Sequence, residues 1–128
     1  MTAYNTTDFD PLAPLAYVTL KHATTDAAWT NVPMQIDTGA DVTLIPEAAV
    51  RQLGLTILSD VRYELTSFDN TVTEAFAVEL KLIFCRRTFR GKFLLTNQSV
   101  GILGRDILSL VPLLFNGPRL EWLEHRVQ

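Results

Sequence analysis

Val32-Pro33-Met34-Gln35-Ile36-Asp37-Thr38-Gly39-Ala40-Asp41-Val42-Thr43-Leu44-Ile45 is the stretch on which the fold turns. An apolar run broken by Gln35 enters Asp37-Thr38-Gly39-Ala40, and a second run from Val42 to Ile45 leaves it. A carboxylate in apolar surroundings is costly unless it is hydrogen-bonded or functional. Gly39 lets the backbone pass close beneath that carboxylate and donate N–H bonds to it. The Thr38 hydroxyl is placed to lock the turn. A peptide bond can be hydrolysed without a metal by two carboxyls that share a proton, one activating water and the other protonating the carbonyl oxygen. Such groups titrate as a coupled pair. The element occurs once in 128 residues, so a catalytic reading takes the second carboxylate from another copy of the chain. The plain alternative is a surface Asp-Thr-Gly turn on a structural β-barrel.

Working outward, Asp41 adds a second acidic residue. Much later, Ile102-Leu103-Gly104-Arg105-Asp106 repeats the design of an apolar strand entering Gly and a charged pair. Arg105 has the rigid fork to bridge to Asp41. Its plainer role is a solvated arginine at a helix start, with Asp106 complementing the helix N-terminus.

The remainder reads as strands. Leu15 to Lys21 is a strand, and His22 to Asn31 is turn-like around Trp29. Val32 to Ile36 and Val42 to Ile45 are short strands. Pro46 opens a helix through Leu53, and Gly54 ends it. From Val61 the pattern has period two, with Ser67, Phe68, Asp69 and Asn70 as a turn. Thr73, Ala75, Ala77 and Glu79 share one side of the returning strand. Phe76, Val78, Leu80 and Leu82 form its inward face. Cys85 to Thr88 is a turn, Phe89 to Leu95 a strand, and Val100 to Leu103 an apolar segment. Arg105 to Val111 is a two-turn helix, and Leu113 to Leu123 is a hairpin about Asn116-Gly117-Pro118. Trp29, Trp122, Phe89, Phe93 and Phe115 read as core or interface packing. The fold class is all-β with one or two short helices.

Composition sets limits. At 48% hydrophobic, the chain supports a core within one domain. Residues 1–14 are expected to form an N-terminal arm and 15–128 the domain. The net charge of -3 carries no field for nucleic acid or an anionic membrane. One cysteine, Cys85, with His22 and His125, lacks metal-site spacing. No metal or cofactor is expected. The first residues lack a basic stretch followed by an apolar core, so the expected location is cytoplasmic.

Together, Asp37-Thr38-Gly39-Ala40-Asp41-Val42-Thr43 and Ile102-Leu103-Gly104-Arg105-Asp106-Ile107-Leu108 resemble the retropepsin family, the retroviral-type aspartic proteases. The resemblance spans about Leu15 to Leu123 and looks closest to the bacterial and cellular single-domain members. It implies a closed acid-protease barrel and a homodimer acting on extended peptide or protein substrates. Asp37 would be the catalytic aspartate. Thr38 would brace the opposing loop across the dimer axis. Gly39 would bring its backbone to the carboxylate. Ala40 stands where pepsin-like enzymes usually carry Ser. Asp41 would hold substrate backbone and pair with Arg105. Gly104 would close the segment beneath the loop. Ser67, Phe68, Asp69, Asn70 and Thr71 would form the flap. This chain departs from the pattern in having no Gly between Glu64 and Glu74. It also has Asp106 where well-known viral members carry Asn, and it extends beyond Asp106 into the hairpin, the expected tie of the dimer. The alternative function is a catalytically silent or weakly active dimeric binding or assembly module.

Overall fold

The computed structural model describes residues 2–5, 7–9, 12–67 and 69–125. Ten strands and two helices follow in the order β1 (Thr2–Ala3), β2 (Leu15–His22), β3 (Ala28–Ile36), β4 (Leu44–Pro46), α1 (Glu47–Leu53), β5 (Leu58–Thr66), β6 (Val72–Phe84), β7 (Arg87–Thr96), β8 (Gly101–Leu103), α2 (Arg105–Leu108), β9 (Leu113–Asn116) and β10 (Glu121–Glu124). Seven strands run in the order β2-β3-β8-β4-β7-β6-β5, and β2 also pairs with β6. The β2–β6 pairing closes the sheet into a barrel, which removes its edges. It leaves β5 outside, attached to β6 as a projecting hairpin arm. A separate sheet has the order β1-β10-β9.

Burial explains why these segments are strands. Along β2, Val18 and Leu20 point inward while Tyr17 points to solvent. Leu20, Met34, Ile45, Val50, Val78, Leu80, Leu82 and Leu103 are wholly buried. Each contributes about 1.5–3 kcal/mol relative to exposure. Trp122 of β10 packs on Phe84 with ring centroids 5.8 Å apart, and its indole N–H donates to the Leu15 carbonyl at 2.8 Å. That contact fastens the small sheet to the start of β2. α1 ends at Gly54, whose φ of 72° and N–H bond to the Arg51 carbonyl form a left-handed cap.

Several sequence expectations need correction. Residues 28–31 are strand, not turn. They pair with β2 across an irregularity between Val18 and Leu20, where Asn31 takes a positive φ of 58°. Such a bulge breaks the alternation that marks a strand. Val42 lies in the loop, and β4 begins only at Leu44. β5 starts at Leu58 and β7 at Arg87, both earlier than the apolar pattern suggests. On β6, Ala75, Ala77 and Val78 are all buried while Phe76 is only partly so. The strand leaves the arm and enters the barrel there, so simple alternation fails. α2 is a single turn, because residues 109–112 lead directly into β9. Trp29 and Phe115 are exposed, whereas Trp122 and Phe93 are core.

Candidate active site

Asp37 sits immediately after β3, where its position is fixed by backbone pairing rather than by its own side chain. β3 runs parallel to β8 with Ile36 opposite Leu103, and the Asp37 N–H donates to the Leu103 carbonyl at 3.1 Å. The chain then turns tightly, and the Ala40 N–H donates to the Asp37 carbonyl at 3.2 Å. Inside this turn the Gly39 N–H donates to Asp37 Oδ1 at 2.9 Å. A Cβ on residue 39 would lie 3.1 Å from that same oxygen, so a side chain would crowd the carboxylate. Asp37 is half-buried, while Thr38 and Gly39 are exposed.

The segment 103–106 passes under the turn and clamps it. The Arg105 N–H donates to the Ala40 carbonyl at 2.8 Å. The Arg105 guanidinium divides its fork: Nη1 donates to the Thr38 carbonyl at 2.7 Å, and Nη2 donates to Asp41 Oδ1. One side chain therefore holds both ends of the Thr38–Asp41 loop. Gly104 is required by packing. A Cβ there would meet the Val42 carbonyl carbon and oxygen at 2.5 Å and its nitrogen at 2.9 Å.

A second clamp escapes the sequence reading. Thr43 is the buried polar residue among those described. Its hydroxyl donates to Asp106 Oδ1 at 2.7 Å and accepts from the Gly104 N–H at 3.1 Å. Its backbone N–H donates to Asp106 Oδ2 at 3.1 Å, and the Ile107 N–H donates to Asp106 Oδ1 at 2.9 Å. Both carboxylate oxygens of Asp106 thus face donors. An asparagine has only one acceptor oxygen and would point an NH2 group at a donor. This accounts for Asp, not Asn, at position 106. Asp106 lies at the first turn of α2, yet most of its bonds go to Thr43. The available sequence signal was a lone hydroxyl, Thr43, within an apolar run.

Ser67 and Asp69 to Thr71, expected from the sequence to belong to a flap, connect β5 to β6. Phe68 lies outside the described residues. The Ser67 N–H donates to the Thr71 carbonyl at 2.9 Å, and the Asn70 N–H to the Ser67 carbonyl at 3.0 Å. The Asp69 carboxylate accepts the Thr71 N–H at 3.0 Å, and its pKa is lowered first by the Thr71 hydroxyl and then by this N–H. Asn70 takes the left-handed conformation at φ 65°. Asn tolerates that region because its short side chain bonds locally. The arm therefore turns without a glycine.

Cys85 is far from this cluster, in the β6–β7 turn. Burial pushes its thiol up to about 11, with the Glu124 charge adding to the effect. Among the described residues, no group of three or more His, Cys, Asp and Glu side chains is placed to hold a metal ion. No helix of the described residues is long and apolar enough to cross a membrane.

With this geometry in view, the chain was compared with known proteins. No family model matches it. No curated protein matches it either. Among solved structures it is similar to the EIAV protease complexed with the inhibitor HBY-793. The two share 22% sequence identity and a TM-score of 0.57, over 82% of this chain and 90% of that one. That neighbour is a retroviral aspartic protease, and the likeness is one of fold. The chain has a retropepsin-like closed β-barrel with two short helices.

Proposed function

We propose that the chain is an aspartic-type endopeptidase that hydrolyses peptide bonds in extended polypeptides as a homodimer. Each subunit supplies one Asp37, and residues 15–128 form the protease domain with 1–14 as its arm. The observation that carries this reading is the Asp37 carboxylate. It sits at the mouth of a doubly clamped turn, with one oxygen on the Gly39 N–H at 2.9 Å. A two-fold axis beside the exposed Thr38 would bring the two carboxyls together. One Asp37 then takes a proton from a bound water, whose oxygen attacks the scissile carbonyl carbon. The other, protonated, gives its proton to the carbonyl oxygen. Collapse of the tetrahedral intermediate breaks the C–N bond, and a carboxyl proton passes to the leaving nitrogen. Thr38 braces the partner loop, Asp41 with Arg105 positions substrate backbone, and residues 67–71 cover it.

A second reading is a silent or weakly active dimeric binding module, favoured by the glycine-free flap. Digestion of an unbiased peptide library separates the two. Wild type is expected to cleave, to be blocked by a transition-state mimic of aspartic proteases, and to lose activity per chain on dilution. Asp37→Asn is expected to abolish cleavage while leaving circular dichroism and sedimentation unchanged. Near-wild-type turnover in that variant, or a fully active monomer, would overturn the peptidase reading.

A further inference from the structure

On the outer face of the barrel, three adjacent strands place like charges directly opposite one another. Lys21 of β2 is the register partner of Lys81 of β6, and Lys81 is the partner of Arg90 of β7. The inward neighbours in the same strands, Leu20 and Leu82, are wholly buried. The three cations therefore share the solvent side. Directly opposed like charges on a sheet are destabilising. Among the described residues, none of the three has a carboxylate within 4.0 Å. The chain as a whole carries -3, so this concentration of positive charge runs against its own background. A row that lowers stability and neutralises nothing among the described residues is complementary to an external anion.

We propose that the Lys21–Lys81–Arg90 row is a docking surface for an acidic segment of a polypeptide. The row crosses two interstrand spacings, roughly 10 Å. That length suits a short run of Asp or Glu side chains. On the next row Glu79 stands opposite Lys92, which confines the positive area to a strip. A long polyanion or a flat anionic bilayer would meet a net-negative protein beyond that strip. The site lies apart from Asp37. Lys21 pairs with Ala28 at the far end of β2–β3, whereas Leu15 pairs with Gln35 beside the candidate turn. At 3.3 Å per residue, Leu15 and Lys21 are roughly 20 Å apart along the strand. The docking surface stands whether or not the chain cleaves peptides.

The test is fluorescence anisotropy with a labelled oligoglutamate peptide and the full chain. Single-stranded DNA and phosphatidylserine vesicles serve as parallel probes. The peptide is expected to bind at low salt and to be released at about 0.5 M salt, where the Debye length falls below ~5 Å. The triple variant Lys21→Gln, Lys81→Gln, Arg90→Gln is expected to bind about tenfold more weakly, from the loss of three partly exposed charge contacts. Its thermal midpoint should be at or above wild type, because like-charge repulsion is relieved. Arg51→Gln, which removes a cation of α1 that is already paired with Glu47, should bind as wild type does. If the triple variant fails to fold, Lys81→Gln alone should still weaken binding, since Lys81 is the middle cation. Undetectable peptide binding at low salt would overturn the proposal. So would equal loss in Arg51→Gln, unchanged binding in the folded charge variants, or tighter binding of the DNA or vesicles.

Discussion

Replacing Thr43 with Val tests the hidden clamp beneath the candidate turn. Val keeps the volume and branching but removes one hydroxyl. That hydroxyl makes two bonds, a donation to the Asp106 carboxylate at 2.7 Å and an acceptance from the Gly104 N–H at 3.1 Å. Hydrogen bonds to charged groups contribute about 1.5–3 kcal/mol, and a buried donor left unpaired costs about 1–3 kcal/mol. Because the two losses share one cavity and are not additive, about 3 kcal/mol is the expected total. At about 2.1 cal/mol/K per residue, a 128-residue domain has an unfolding entropy of about 0.27 kcal/mol/K, so the midpoint should fall by about 11 °C. Thr43→Ser keeps the hydroxyl and loses a methyl, and should cost only about 1 kcal/mol. The assay is thermal and urea unfolding by circular dichroism at one fixed chain concentration, since association shifts apparent stability. A Val variant as stable as wild type would refute the reasoning. A Ser variant as damaged as Val would also refute it, by placing the loss in packing instead of hydrogen bonding.

Arg105→Lys retains charge but cannot span Thr38 and Asp41 with one fork, and should lower stability by about 1 kcal/mol in the same unfolding assay. Cys85 and Arg86 both hold positive φ, at 51° and 61°, in a two-residue hairpin turn. The pair Cys85→Asn, Arg86→Gly supplies residues suited to that conformation and should raise stability by about 1 kcal/mol in urea titration. With its thiol pushed up to about 11, Cys85 should react slowly with iodoacetamide at neutral pH, the rate climbing as pH approaches that value. By linkage, an acid whose folded pKa lies above its reference of 9.0 stays neutral in the fold while the unfolded thiol ionises. Its contribution to stability should therefore be intact below pH 9 and decline between pH 9 and 11, a loss that Cys85→Ala should remove from the pH–stability curve.

Much of this molecule was legible in the chain itself, for local reasons. Apolar segments around Asp37-Thr38-Gly39, Pro46 and Gly54 at the ends of α1, and the period-two run after Val61 report backbone preferences set by neighbouring residues. The pairing of Arg105 with Asp41 followed from a fork-shaped cation and a carboxylate in two related motifs, and the two groups do meet. The start of β3 was not legible, because the bulge at Asn31 hides the strand's alternation. The inward face of β6 was obscured where the strand passes from the projecting arm into the barrel. Nothing local announces that Gly104 must clear the Val42 backbone, or that Asp106 needs two acceptor oxygens for Thr43. Nor does the sequence announce that Lys21, Lys81 and Arg90 form one row. These depend on which distant segments become neighbours when β2 meets β6 and β3 meets β8. Sequence periodicity records which way a side chain points, and only barrel closure decides what it meets there.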